Sequence, residues 1–163
     1  MDLVRAALLL ALTVVPASAS PVDTADDFLR AVEWRDGDAL LGSLSESLRT
    51  TLEARWAEFG AIAEMRPELA SAVLSRTLPY LSPSDLSGMS LAEFLSQLMP
   101  VLDLTGYEAA MVERMDLDMA GRDADVTVHW PDGRSVSFSM VWEESAWRIA
   151  GSDFLDSILD EVF

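Results

Sequence analysis

The stretch MDLDMAGRDADVTVHWPDGRSVSFSMVWEESAWRI, residues 115–149, decides the fold. Apolar and polar residues alternate along it with period two, the signature of strands that bury one face. Met115, Leu117 and Met119 alternate with Asp116 and Asp118, and Ala124, Val126, Val128 and Trp130 with Asp125, Thr127 and His129. Val136, Phe138, Met140 and Trp142 alternate with Ser135, Ser137 and Ser139, and Trp147 and Ile149 complete the set. Three turn signals punctuate the run: Gly121-Arg122-Asp123, Pro131-Asp132-Gly133 and Glu143-Glu144-Ser145. The second has the composition of a type I turn closed by a left-handed glycine. Closing all three turns predicts a four-stranded antiparallel meander. It pairs Leu117 with Val126, Val128 with Val136, Val126 with Phe138 and Trp142 with Trp147. Only this register puts every apolar side chain on one face, because a one-residue slip would turn a strand over.

Upstream the period becomes helical. Ala25, Phe28, Leu29 and Val32 stripe a helix over 22–34, with Asp23 or Thr24 able to cap it. Arg35-Asp36-Gly37-Asp38 stops that helix. Leu41, Leu44, Leu48, Leu52, Trp56 and Phe59 predict one further helix running to Gly60. Pro67 suits a first helical position, and Pro79, Pro83 and the serines of 82–87 predict a loop. Ser90-x-x-Glu93 is a capping box for a helix ended by Pro100. Phe154, Leu155, Ile158 and Leu159 share one side of a short terminal helix over 152–163. Helices over 22–110, a sheet over 111–150 and that last helix make one α+β domain, in which the helices cover the apolar face of the sheet.

Residues 1–19 have a different character. Arg5 precedes an apolar run from Ala6 to Val15, and Pro16-Ala17-Ser18-Ala19 supplies a helix breaker and a small-x-small boundary. That order predicts a cleavable secretory signal, too short in its apolar part to serve as a membrane span. The expected mature domain is residues 20–163, exported to a periplasm or the medium, with no membrane span after cleavage.

The formal charge of −17 opposes nucleic acid and anionic membranes, both of which need a basic patch. All 11 basic residues are Arg, and Lys and Asn are both absent. Both have A-rich codons, so a GC-rich genome accounts for the bias more simply than adaptation to high salt. No Cys is present, so neither disulfides nor thiolate metal sites hold the fold.

The helix-break-helix stretch Ala31-Val32-Glu33-Trp34-Arg35-Asp36-Gly37-Asp38-Ala39-Leu40-Leu41 and the meander ending in Trp147-Arg148-Ile149 resemble the nuclear-transport-factor-like, or SnoaL-like, cone-shaped fold. The resemblance covers about 23–55 and 111–150 and is one of layout. It implies a cone with its apolar interior on the helix side of the sheet. Its members include isomerases, dehydratases and plain ligand binders, so the fold alone implies no activity.

Four constellations bear on chemistry. His129, the only histidine, falls on the polar face of the sheet beside Arg114 and Ser135, as an ordinary strand residue. Asp116, Asp118 and Asp125 cluster on that same face, with Asp118 opposite Asp125. A cation would relieve their repulsion, and Arg122 or Arg148 could also neutralise it. No loop of calcium-binding spacing accompanies them, and a solvated face is the simpler reading. Glu113 is the candidate catalytic residue. By parity it lies at one end of the apolar face, where a carboxylate could act as a general base if burial raised its pKa, the arrangement used by isomerases of the resembled fold. The fourth constellation is the apolar face itself. Met115, Leu117, Met119, Val126, Val128, Trp130, Phe138, Met140, Trp142 and Trp147 are candidate linings of an adaptable cavity for an apolar small molecule or lipid.

No nucleophile elbow, phosphate loop or dinucleotide fingerprint occurs, and no cofactor is expected. The expected function is therefore a non-enzymatic exported binding or accessory domain. The alternatives are a small isomerase or hydrolase-like enzyme using Glu113, and a structural domain that forms a homodimer through its sheet.

Overall fold

A computed structural model describes residues 20–101 and 107–156. The expected signal over 1–19 and the part of the terminal helix beyond residue 156 lie outside the described residues. The described chain is α+β: six helices, a 3-10 turn and then a four-stranded antiparallel sheet in the order β1-β2-β3-β4.

The strands are β1 (Arg114–Ala120), β2 (Asp123–His129), β3 (Ser135–Glu143) and β4 (Ala146–Ser152). All four expected pairings are present, as is Asp118 opposite Asp125. The first hairpin is tighter than its turn signal suggested. Asp123 already pairs with Ala120, leaving only Gly121 and Arg122 in the loop, with Gly121 at φ 73°. The second closes through Trp130 and Arg134, with Gly133 at φ 88°. In the third, Glu144 (φ 47°) and Ser145 (φ 67°) both adopt left-handed backbone, a two-residue turn built without glycine. Between Ser139 and Met140 the β3–β4 register shifts, so Ala150 bulges where β4 bends.

Helix α1 (Pro21–Trp34) is capped by Ser20, one turn earlier than Asp23 or Thr24 would cap it. Ser20 and Asp23 instead form a capping box, and Pro21 occupies the first helical position, where its missing N–H costs nothing. Arg35, at φ 60°, ends the helix in left-handed backbone. The helix expected over 38–60 is two helices, α2 (Gly37–Ser43) and α3 (Glu46–Met65). Leu44 breaks it by leaving helical geometry to bridge Ile149 on β4, and the Ser45 amide donates to the Ile149 carbonyl (2.8 Å). One apolar stripe thus serves two helices, and the break covers part of the outer edge of β4. Helix α4 (Pro67–Thr77) starts at Pro67 as expected. The expected loop at 82–87 contains a one-turn helix, α5 (Pro83–Leu86), and α6 (Leu91–Leu98) carries the Ser90–Glu93 capping box. A last helix opens at residue 153.

The helices cover one face of the sheet. Phe28, Phe94, Phe138, Val126, Val128 and Ile149 are fully buried, and the Phe28 and Phe138 rings meet edge to face at 5.3 Å. Gly37 lets α2 lie directly on α6, and its amide donates to Ser96 Oγ (3.0 Å).

Candidate functional site

The polar face of the sheet is a hydrogen-bonded surface. His129 Nε2 lies 2.9 Å from Asp116 Oδ2, and Arg114 Nε donates to the same oxygen. The Ser139 hydroxyl donates to Asp125 (2.8 Å), and Thr127 and Ser137 share a bond of 3.2 Å. Arg122 and Arg148 do not neutralise the aspartates. Arg122 donates to the Trp142 carbonyl and Arg148 to that of Gly42. Among the described residues, no three His, Cys, Asp or Glu side chains come together as metal ligands. Asp116, Asp118 and Asp125 are all exposed, so solvent and hydroxyl donors screen them.

Glu113 is exposed just before β1, and its backbone amide donates to the His129 carbonyl (2.8 Å). Its carboxylate is exposed, and it does not line the cleft between α1, α2 and β4 described below.

The apolar face divides in two. Val126, Val128, Trp130, Phe138, Met140 and Trp147 are buried in the packed core, with Trp130 Nε1 donating to the Glu108 carbonyl (3.2 Å). Trp142 and Met115 are half-buried. Leu117 is 43% exposed and Met119 52%, so the row stops being interior at β1. Alternation fixes which way a side chain points, whereas burial also needs neighbours on both sides, and β1 is the edge strand of the sheet.

The sequence reading missed an open cleft at the junction of α1, α2 and β4, with a volume of about 430 Å³. Helix α1 supplies Asp27, Arg30, Ala31 and Trp34, spaced i, i+3, i+4 and i+7 and hence on one face, turned away from the Phe28 stripe. Helix α2 supplies Ala39, Gly42 and Ser43, and β4 supplies Ala146, Trp147 and Arg148. Trp34 stands on the rim at 68% exposure, while Trp147, 8% exposed, is anchored against Trp142 at 5.5 Å. The sharp turn at Arg35 and Asp36 opens the cleft. Asp36 caps α2 by accepting from the Ala39 amide (2.9 Å), which fixes α2 at an angle to α1.

The hydroxyl and guanidinium groups of the cleft are already engaged, while Asp27 stands exposed on its edge. The Thr24 hydroxyl donates to the Ser20 carbonyl and the Ser43 hydroxyl to that of Leu40 (2.6 Å). Arg30 pairs with Asp26 (2.7 Å), which raises the guanidinium pKa, and Arg148 holds the Gly42 carbonyl. The arrangement offers contact area, aromatic and small-residue, flanked by the guanidinium groups of Arg30 and Arg148 and the carboxylates of Asp27 and Asp36.

No protein-family model, curated protein or solved structure matches this chain.

A signal for the cleft was present in the sequence. Trp34 lies off the apolar stripe of α1, on the helix face shared with Asp27 and Arg30, and a tryptophan placed there has no core to enter.

Proposed function

We propose that this chain is an exported, non-enzymatic binding domain that holds a small apolar molecule in the cleft between α1, α2 and β4. The observation that carries the reading is Trp34, a large apolar ring standing 68% exposed on the rim of a cleft whose wall is Trp147. Exposed aromatic area beside a concavity gains most by taking up an apolar partner. Small side chains and the bare backbone of Gly42 leave room for that partner, and both hydroxyls of the cleft are committed to backbone carbonyls. The basic n-region, apolar run and Ala17-x-Ala19 boundary support export. The nuclear-transport-factor-like affinity remains part of the proposal and rests on layout. The ligand would sit beside the sheet rather than in a cone beneath it.

A homodimer through the sheet is the second reading, favoured by the exposed apolar face of edge strand β1 at Leu117 and Met119. Pairing two β1 strands about Leu117 would set Asp116 against Asp118 of the second copy, which is unfavourable. A dimer would therefore need an offset that brings Arg114 opposite an aspartate.

Native mass spectrometry of the protein recovered from the exported fraction tests the binding reading. Wild type should carry a discrete small-molecule adduct, and Gly42→Leu should carry none. A β-carbon at Gly42 meets nothing within 4 Å, so this lining position has room for a side chain that takes up space in the cleft. Bare wild-type protein, or the same adduct on Gly42→Leu, would contradict the reading.

A further inference from the structure

Among the described residues, the hydrogen bonds nearest the start of the chain involve the residue that export would expose. Ser20 N donates to Asp23 Oδ2 (2.9 Å), Ser20 Oγ donates to the same oxygen (2.8 Å), and the Asp23 amide donates back to Ser20 Oγ (3.1 Å). The Ser20 carbonyl accepts from the amide and the hydroxyl of Thr24 (3.0 and 3.3 Å). Every atom of Ser20 able to form a hydrogen bond is thus engaged in the first turn of α1. The small-x-small boundary Ala17-Ser18-Ala19 ends at the bond immediately before it.

We infer that a signal-processing peptidase cuts the Ala19–Ser20 bond, and that the new Ser20 ammonium locks the first turn of α1 by an ion pair with Asp23. Water supplies the atoms. Its oxygen becomes part of the Ala19 carboxylate that leaves with the leader, and the Ser20 nitrogen, once an amide, takes up protons and becomes an ammonium near neutral pH. The nitrogen keeps its place beside Asp23 Oδ2, so a hydrogen bond from a neutral amide to a carboxylate becomes an ion pair as well. Asp23 also answers the conflict between a cation and the positive end of a helix, by placing a carboxylate between them. Hydrogen bonds from Ser20 already hold the Asp23 carboxyl below the ordinary aspartate value. Cleavage one residue later would remove the cap, so the boundary and the cap constrain each other.

This inference rests on the export reading, and the experiment separates the two. The protein is secreted from a bacterial host, its intact mass is measured, and the Ser20 α-amino group is titrated by NMR in wild type and Asp23→Asn. The expected result is a chain beginning at Ser20. Its amino pKa should lie above the ordinary range of about 7.7–8.0 and fall by about half a unit or more in Asp23→Asn. A leader retained on the product overturns the export reading and this inference together. A mature chain starting elsewhere, or the same amino pKa in both proteins, overturns the inference alone and leaves export standing.

Discussion

Gly37 and Ala92 are in backbone contact: a β-carbon built on Gly37 would overlap the Ala92 carbonyl and come within 2.8 Å of Ser96 Oγ. The position therefore carries the approach of α2 to α6. Gly42, five residues along the same helix, faces open space. The two glycines should respond in opposite directions. Gly37→Ala should destabilise by about 1–3 kcal/mol through overpacking, while Gly42→Ala should stabilise by about 0.5–1 kcal/mol through helix propensity. Urea denaturation of both variants checks the contrast, and equal shifts would refute the α2–α6 packing.

The third hairpin holds Glu144 and Ser145 in left-handed backbone, which suits asparagine and glycine better. Replacing the pair with Asn-Gly should stabilise the domain by about 1 kcal/mol or more, since each strained residue costs on that order. The melting temperature should rise. An unchanged or lower value would mean the side chains of Glu144 and Ser145 hold the turn in a way the backbone does not reveal.

The two faces of β3 allow a neighbour-to-neighbour comparison. Phe138 is fully buried against Phe28, whereas Ser137 is exposed and shares a bond with Thr127. Phe138→Ala should cost about 3–5 kcal/mol and Ser137→Ala about 0.5 kcal/mol or less. Comparable losses would show the polar face to be covered, and would favour the sheet dimer.

The meander was legible because period-two alternation, three turn signals and a single apolar face all point to one register. Helix existence was legible for similar reasons. What the sequence hid was tertiary. Leu44 fits a helical stripe and nevertheless leaves it to bridge Ile149, and Leu117 alternates like Val126 yet stays exposed on the edge strand. Gly37 reads as a helix stop, although its role is contact with Ala92. Of the cleft, the sequence carried only the stray Trp34, because the other residues come from α1, α2 and β4 and only the turn at Arg35 and Asp36 brings them together.

Acid should act first through the caps and the second hairpin loop. Backbone and side-chain hydrogen bonds from Ser20, Ser82 and Ser90 hold Asp23, Asp85 and Glu93 below their ordinary values, and bonds from Arg134 do the same for Asp132. A carboxyl with a depressed folded pKa contributes stability above its unfolded value and loses it as pH falls through the folded one. The loss should begin near 4.5 for Glu93 and near 3.8 for the aspartates, and continue below. Glu93→Gln should shallow the decline in melting temperature over that window. An unchanged slope would mean that this capping box contributes no pH-dependent stability.

The claim that the α1–α2–β4 cleft is the binding surface is tested most directly by titration with 1-anilinonaphthalene-8-sulfonate, an apolar aromatic anion, followed by its fluorescence. Wild type should show one saturable site. Gly42→Leu, which fills the cleft, should weaken binding by about tenfold or more, a difference of about 1.4 kcal/mol. Leu117→Lys, on the exposed edge of the sheet, should leave binding unchanged. The opposite pattern, with binding intact in Gly42→Leu and lost in Leu117→Lys, would contradict the account and make the uncovered face of β1 the working surface.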